Sequence, residues 1–270
     1  MKPDSISAGA LPHTDRIIVA ALLLLVAALA WAFTVHQSMM MDEMEAAMWR
    51  DMNMSMNGMV PSWTAIDALL LFVMWSAMMA AMMVPSASPM VAAFATINHR
   101  RRERRASYVP TAVFLLGYLM AWAGFSVIAT ALQWALQTTG LLTTMMQSAS
   151  HYWSAALFLA AGLYQFSPLK ETCLAYCRTP EMFVLTEWRD GASGAVVMGM
   201  RHGQFCMGCC GALMVLLFAV AVMDLRWVAL LTALVTAEKL LPGARFWRAV
   251  IGLGLIVTAT GFAIAGWRAG

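Results

Sequence analysis

Sulfur is where this sequence concentrates its reactive groups. The 270 residues include 25 methionines and 5 cysteines. The cysteines fall in two groups, Cys173 with Cys177 and Cys206 with Cys209 and Cys210. On helices, Cys173 and Cys177 share one face, Cys206 and Cys210 share another, and Cys209 lies one position round. Arg201 and His202 come just before the second group. A cation or a helix N-terminus in that place favours thiolate, the form that ligates metal. Free cysteine also serves as a small apolar residue in buried helices, and this spacing is less specific than a paired CxxC zinc signature. Two groups flanking one charged segment fit a metal or redox role better than scattered packing.

The methionines are patterned too. Residues 36–62 hold Met39, Met40, Met41, Met44, Met48, Met52, Met54, Met56 and Met59, with Asp42, Glu43, Glu45 and Asp51 among them and no cysteine. Met41, Met44, Met48 and Met52 have the spacing of an amphipathic helix lying on a membrane. Met52, Met54 and Met56 alternate with Asn53 and Ser55 and break that stripe. Thioethers are soft, neutral ligands that select Cu(I) over hard cations, and they work in oxidising compartments where thiols form disulfides. These residues are therefore expected to capture a soft metal. Further on, Met74, Met78 and Met82 recur every four residues, with Met79 and Met83 on the adjacent row and Trp75 beside them. Core packing is the commoner reason for such rows. The repeat also resembles the thioether filters of Ctr-type copper importers, in pattern only, because those have three spans. Pro85 and Pro89 are expected to end the ladder by breaking or kinking its helix.

Groups so placed need a scaffold, and the composition specifies one. The chain is 61% hydrophobic and 11% charged, far from the roughly 25% charged of a soluble domain. Apolar stretches run over 17–35, 64–84, 109–132, 152–168, 204–223, 225–241 and 246–266. A bilayer-crossing helix takes about 20 residues, and only helices or closed barrels satisfy their backbone in lipid. The expected fold class is all-α, a polytopic transmembrane bundle of about seven helices. Most of the 17 Lys and Arg residues fall on one side of it, above all Arg100, Arg101, Arg102, Arg104 and Arg105. The positive-inside rule then puts the N-terminus in the cytoplasm. The chain divides into 1–35 (tail and first span), 36–62 (outer loop) and 63–270 (a six-helix membrane domain with a cysteine-bearing cytoplasmic loop at 169–203). Ala28-Leu29-Ala30 has the small residues of a cleavage site, so the first span reads as membrane helix or signal peptide. A net charge of +3 is no argument for nucleic acid. No nucleotide loop, hydrolase elbow or kinase signature is present.

Asp67, Gln165 and the pair Glu238-Lys239 are the polar groups within or beside spans. Such acids usually face a bundle interior or a water path, while Glu238 and Lys239 lie near enough to an interface to be anchors. Gly199 and Gly203 form a GxxxG pair that lets two helices approach.

The run Tyr164-Gln165-Phe166-Ser167-Pro168-Leu169-Lys170, Cys173, Cys177-Arg178, Met198-Gly199, Arg201-His202-Gly203, Cys206 and Gly208-Cys209-Cys210 resembles a bacterial family of metal-binding integral membrane proteins, domain of unknown function number 2182. Met79 to Met90 and Glu238-Lys239 match its pattern as well, so the resemblance covers roughly 64–245. It implies a membrane bundle with a metal site at the cysteines and no established reaction. Two features depart from the family: Gly211 stands where an aromatic residue is usual, opening room beside Cys210, and the methionine-rich loop is additional.

Together these readings describe a Cu(I)-handling protein of the bacterial inner membrane, more transporter or delivery factor than enzyme. Copper is captured at Met52, Met54 and Met56, passed along Met74, Met78 and Met82, and held by Cys206, Cys209 and Cys210 with Cys173, Cys177 and His202. Its expected partners are the lipid bilayer and a periplasmic or cytoplasmic metal-carrying protein, with a homo-oligomer left open and no nucleic acid. Two other classes stay in play: a thiol redox protein using Cys173 or Cys177 with Cys209 or Cys210, and a non-catalytic assembly subunit whose sulfur residues only pack.

Overall fold

A computed structural model of the chain describes residues 12–50, 63–103, 108–143, 146 and 148–269. Among these residues it is all-helical, as expected. The elements are α1 (His13–Arg50), α2 (Ala65–Glu103), α3 (Thr111–Thr138), α4 (His151–Tyr164), α5 (Pro168–Arg178), α6 (Pro180–Thr186), α7 (Gly191–Val215), α8 (Leu225–Leu240) and α9 (Ala244–Ala269). Five stretches are long and apolar enough to cross a membrane: His13–Glu43, Ala65–Glu103, Thr111–Thr138, Gly191–Phe218 and Ala244–Arg268. The other two apolar stretches of the sequence form α4 and α8, of 14 and 16 residues, short of the roughly 20 that a full crossing takes.

The segment 169–203 is not an open loop. Ser167 accepts from the Lys170 backbone N–H and Pro168 opens α5, a pre-organised start because proline has no N–H to leave orphaned. Pro180 opens α6 in the same way, and α7 begins at Gly191. Cys206, Cys209 and Cys210 therefore lie in mid-helix rather than in first turns. The helix dipole fades within one turn, so it is not what tunes these thiols.

Pro85 and Pro89 do not end α2, which runs unbroken through both. Proline 89 deprives the Pro85 carbonyl of its helical donor, and the Ser88 hydroxyl replaces it at 2.8 Å. The neighbouring Ser86 hydroxyl donates to the Met83 carbonyl at 3.0 Å. Asp67 is a cap and not a path residue. Its carboxylate accepts from the Thr64 N–H and hydroxyl at 2.9 and 2.7 Å, while its own N–H donates to Thr64 at 3.3 Å, a reciprocal arrangement that satisfies the start of α2. α1 stays helical through Arg50, with Met39 and Met40 exposed and Met41 packed against the core. Met52, Met54 and Met56 lie outside the described residues.

The core forms where α2, α3 and α7 meet. Gly199 and Gly203 set the α3–α7 approach: a Cβ at Gly199 would stand 2.0 Å from the Phe114 carbonyl oxygen, and one at Gly203 would stand 2.5 Å from the Ala121 Cβ. Backbones this close are what small residues permit. Phe94 of α2 stacks on Phe114 of α3 and on Trp188, at 4.7 and 5.6 Å between centroids. Trp75 packs on Phe218 at 5.0 Å, and its indole N–H donates to Gln133 at 2.7 Å, pairing a buried donor that would otherwise be costly. α1 lies against α2, α4 against α9, and α5 against α7.

Candidate metal centre

α7 supplies three thiols to one place. Cys206, Cys209 and Cys210 are all buried, and the Cys206 and Cys210 sulfurs are 4.0 Å apart. α2 brings the Met83 sulfur to 3.6 Å from Cys210. α5, held on α7, brings the Cys177 sulfur to 3.8 Å from Cys209. Cys210 thus contacts the sulfurs of both Cys206 and Met83, a separate contact joins Cys209 to the half-buried Cys177, and the Cys209 and Cys210 thiols both bond the Cys206 carbonyl. Cys173 sits one turn before Cys177, its sulfur 2.5 Å from where a Cβ on Gly208 would stand, so that glycine is what lets α5 seat on α7. Burial, then the neighbouring Cys209, raise the Cys173 thiol above its ordinary value, which favours its protonated form at neutral pH.

The cluster has a cation of its own. Lys239 of α8, 6% exposed, donates to the Cys206 sulfur and to the Ser86 hydroxyl, each at 3.0 Å. The adjacent Glu238 cannot balance it, because that carboxylate pairs with Lys170 of α5 at 2.7 Å with both side chains buried. Sulfur is left as the counter-charge for a buried ammonium, whose isolation in apolar surroundings would be costly. Glu238 and Lys239 are therefore interior groups and not interface anchors. Arg178 ties the same elements together by donating to the Glu238 carbonyl and, at 2.7 Å, to the Leu241 carbonyl, where a helix C-terminus attracts cations. The Tyr118 hydroxyl of α3 lies 3.2 Å from the Cys206 sulfur and donates to the Met83 carbonyl at 3.3 Å. Tyr164 bonds the Gly208 carbonyl, pinning α7 beside its thiols.

His202 is buried one turn before Cys206, its ring 5.5 Å from both Tyr118 and Phe183 and 6.4 Å from Phe114. Its Nδ1 has no hydrogen-bond partner. The ring sits in an aromatic cage of Phe114, Tyr118 and Phe183.

Among the described residues no three His, Cys, Asp or Glu side chains gather in a metal-binding group. A shell that includes Met83 is different in kind, because its third donor is a thioether. Three sulfurs set about 2.3 Å from one ion in a plane stand about 4 Å apart, taking the zinc–thiolate distance as a guide. The observed 4.0 and 3.6 Å separations meet that spacing, and thiolate with thioether is a donor set suited to Cu(I).

The sequence reading grouped Cys206, Cys209 and Cys210 with Cys173 and Cys177; the structure places Cys206 near Cys210, Cys177 near Cys209, and Cys173 against Gly208. Met74, Met78 and Met82 are buried, but it is the adjacent row, through Met83, that reaches a cysteine. Met83, Lys239 and Tyr118 were not assigned to the site from sequence. The four-residue step from Met79 to Met83 was the signal for the first, and a lysine in an apolar stretch was the signal for the second. Gly211 has open space around its missing Cβ, as its departure from the resembled pattern suggested.

No curated protein and no solved structure matches the chain. A family model, PpoB2, described as a copper chaperone, matches residues 72–262, a stretch that starts in the methionine ladder and takes in every thiol and Lys239. The match covers well over half of the chain, and this chain belongs to the PpoB2 copper chaperone family.

Proposed function

We propose that the chain is an integral membrane protein that binds Cu(I) at Cys206, Cys210 and Met83 and passes it through Cys209 and Cys177 to a metal-carrying protein. The observation that carries this is the set of three sulfur–sulfur contacts at 3.6 to 4.0 Å to which α2, α5 and α7 contribute. Neighbouring soft donors at this spacing let an ion exchange one ligand at a time without becoming bare. Lys239 holds the place of the cation: a monovalent copper ion arriving at Cys206 supplies the positive charge that the ammonium provides before loading.

The five long apolar helices support a membrane location. The arginine-rich end of α2 then faces the cytoplasm by the positive-inside rule, and the Arg101–Asp190 pair puts the start of α7 on the same side. Copper captured on the opposite side by Met52, Met54 and Met56 meets ligands of rising softness, thioethers first and thiolates last, so passive movement runs inward.

A second reading has one observation in its favour. The Cys177 and Cys209 sulfurs at 3.8 Å need to close by about 2 Å to reach disulfide length, which a thiol redox protein would do. Metal content separates the two readings. Purified protein reconstituted anaerobically with Cu(I) should retain copper, and the variant with all 5 cysteines changed to serine should hold fewer copper ions per chain at neutral pH. A wild type that holds no copper but cycles between dithiol and disulfide would replace this reading with the redox one.

A further inference from the structure

A second group of methionines surrounds a pocket near the start of α2. The pocket lies between α1, α2, the segment holding Met146 and the turn before α8, and is lined by Met41, Met74, Met146 and Met223, with Asp67 and Gln137 among its polar residues. Four methionines from four separate segments line it. Met74 is nine residues before Met83, roughly 14 Å along the helix, so this pocket is distinct from the thiol cluster and joined to it by the buried Met78, Met79 and Met82.

The backbone is bent to place one of the four. Met146 has φ 59°, the only positive φ at a non-glycine residue among the described residues, in the left-handed region that side chains other than Gly, Asn or Asp rarely occupy. It is held there on both sides: the Met146 N–H donates to the Thr143 carbonyl at 3.0 Å, and its carbonyl accepts from the Val222 N–H at 3.2 Å. A third bond, from the Ser148 N–H to the Val220 carbonyl at 3.2 Å, completes the seam between the two turns and sets Met146 beside the turn that carries Met223. Strained residues persist where surrounding structure over-determines them, and they concentrate at binding sites. An apolar contact alone would be served by any large residue on an unstrained backbone. Polarizable thioethers contributed by four residues around one pocket suit a soft monovalent cation.

We propose that Met41, Met74, Met146 and Met223 form a thioether-only Cu(I) site where copper enters the bundle before it moves along α2 to the thiols. The assignment rests on the copper reading above, yet it can fail separately, because thioethers do not protonate whereas thiolates do.

The test uses the full-length protein in detergent with all five cysteines changed to serine, loaded anaerobically with Cu(I) or Ag(I) at pH 5, with metal counted by mass spectrometry. Metal held by thioethers is expected to remain. It should fall by about one ion per chain when Met41, Met74, Met146 and Met223 are all changed to leucine, a swap that keeps apolar volume. Copper-edge X-ray absorption of the cysteine-free protein should show a shell of sulfur alone. Failure of the cysteine-free protein to hold metal overturns the site, and so does equal retention in the leucine variant, which would move binding to other methionines. Thermal unfolding of the leucine variant guards against misfolding: if it is unfolded, Met223→Leu alone takes its place, expected to weaken Ag(I) binding about tenfold, and an unchanged affinity there overturns the site. The copper reading itself is tested apart from this, by wild-type metal content at neutral pH.

Discussion

The Cys210 sulfur of α7 lies 3.6 Å from the Met83 sulfur of α2, a contact between residues 127 positions apart that joins the cysteine group to the methionine rows. Replacing Met83 by leucine keeps the volume and removes the sulfur. The fold should survive at a cost below about 1.5 kcal/mol, while Cu(I) affinity should fall about tenfold, equal to about 1.4 kcal/mol. Competition against a colorimetric Cu(I) chelator measures it, and Met82→Leu, which removes a sulfur with no cysteine contact of this kind, serves as the control.

The buried Lys170–Glu238 pair should be asymmetric to mutation. Glu238→Gln leaves an ammonium buried without its charge partner and should destabilise by about 3–5 kcal/mol. The double change Lys170→Met with Glu238→Leu removes both charges and should be milder than the single one. Thermal unfolding in detergent decides between these orders, and a double variant weaker than Glu238→Gln would contradict the burial argument.

Gly199 and Gly211 lie on the same helix and should respond oppositely to alanine. At Gly199 the new Cβ would stand 2.0 Å from the Phe114 carbonyl oxygen, so α3 and α7 must separate, at a cost on the order of 3 kcal/mol. At Gly211 nothing lies within 4 Å, and the gain in helix propensity should stabilise by up to about 1 kcal/mol. Paired melting curves read both signs.

Acid should release the clasp between α2 and the start of α7. The Trp188 indole N–H donates to Asp190 at 2.9 Å and Arg101 pairs with it at 2.5 Å. These hold its carboxyl below the usual range, the indole bond first and the arginine after the small opposing effect of burial. A lowered folded value means that the stabilisation is complete above the unfolded carboxyl value, about 3.9, and is lost as pH falls through the folded one. The stability difference between wild type and Asp190→Asn should be constant from pH 5 to 8 and vanish toward pH 3. The carboxylate is solvent-exposed, so the effect is small and screened by salt.

The helical class was legible because apolar runs of this length leave few alternatives. That Cys206 and Cys210 share a face was legible because helical spacing fixes it, whereas the meeting of Cys177 with Cys209 depends on α5 packing on α7. Two features were hidden for a physical reason. Whether the Met82 or the Met83 row meets the thiols depends on the rotation of α2 about its axis, which is settled by Trp75 reaching Gln133 and Phe94 stacking on Phe114, contacts between distant parts of the chain. The α5–α6 segment looked like a loop because its charged residues mask short helices, although Ser167-Pro168 and Pro180 marked their starts.

Burial of Cys206 and Cys210, together with the half-buried position of Cys177, also bears on timing. Under the proposed role, a small chelator in solution cannot collide with an ion at the inner pair, and escape has to proceed by successive sulfur-for-sulfur exchange ending on α5. Dwell time and binding strength are then set by different residues: strength by the inner pair, and dwell time by how readily α5 presents Cys177. A recipient that docks against α5 gains copper quickly, while an equally avid bystander waits, so the fold discriminates among recipients by rate as well as by affinity.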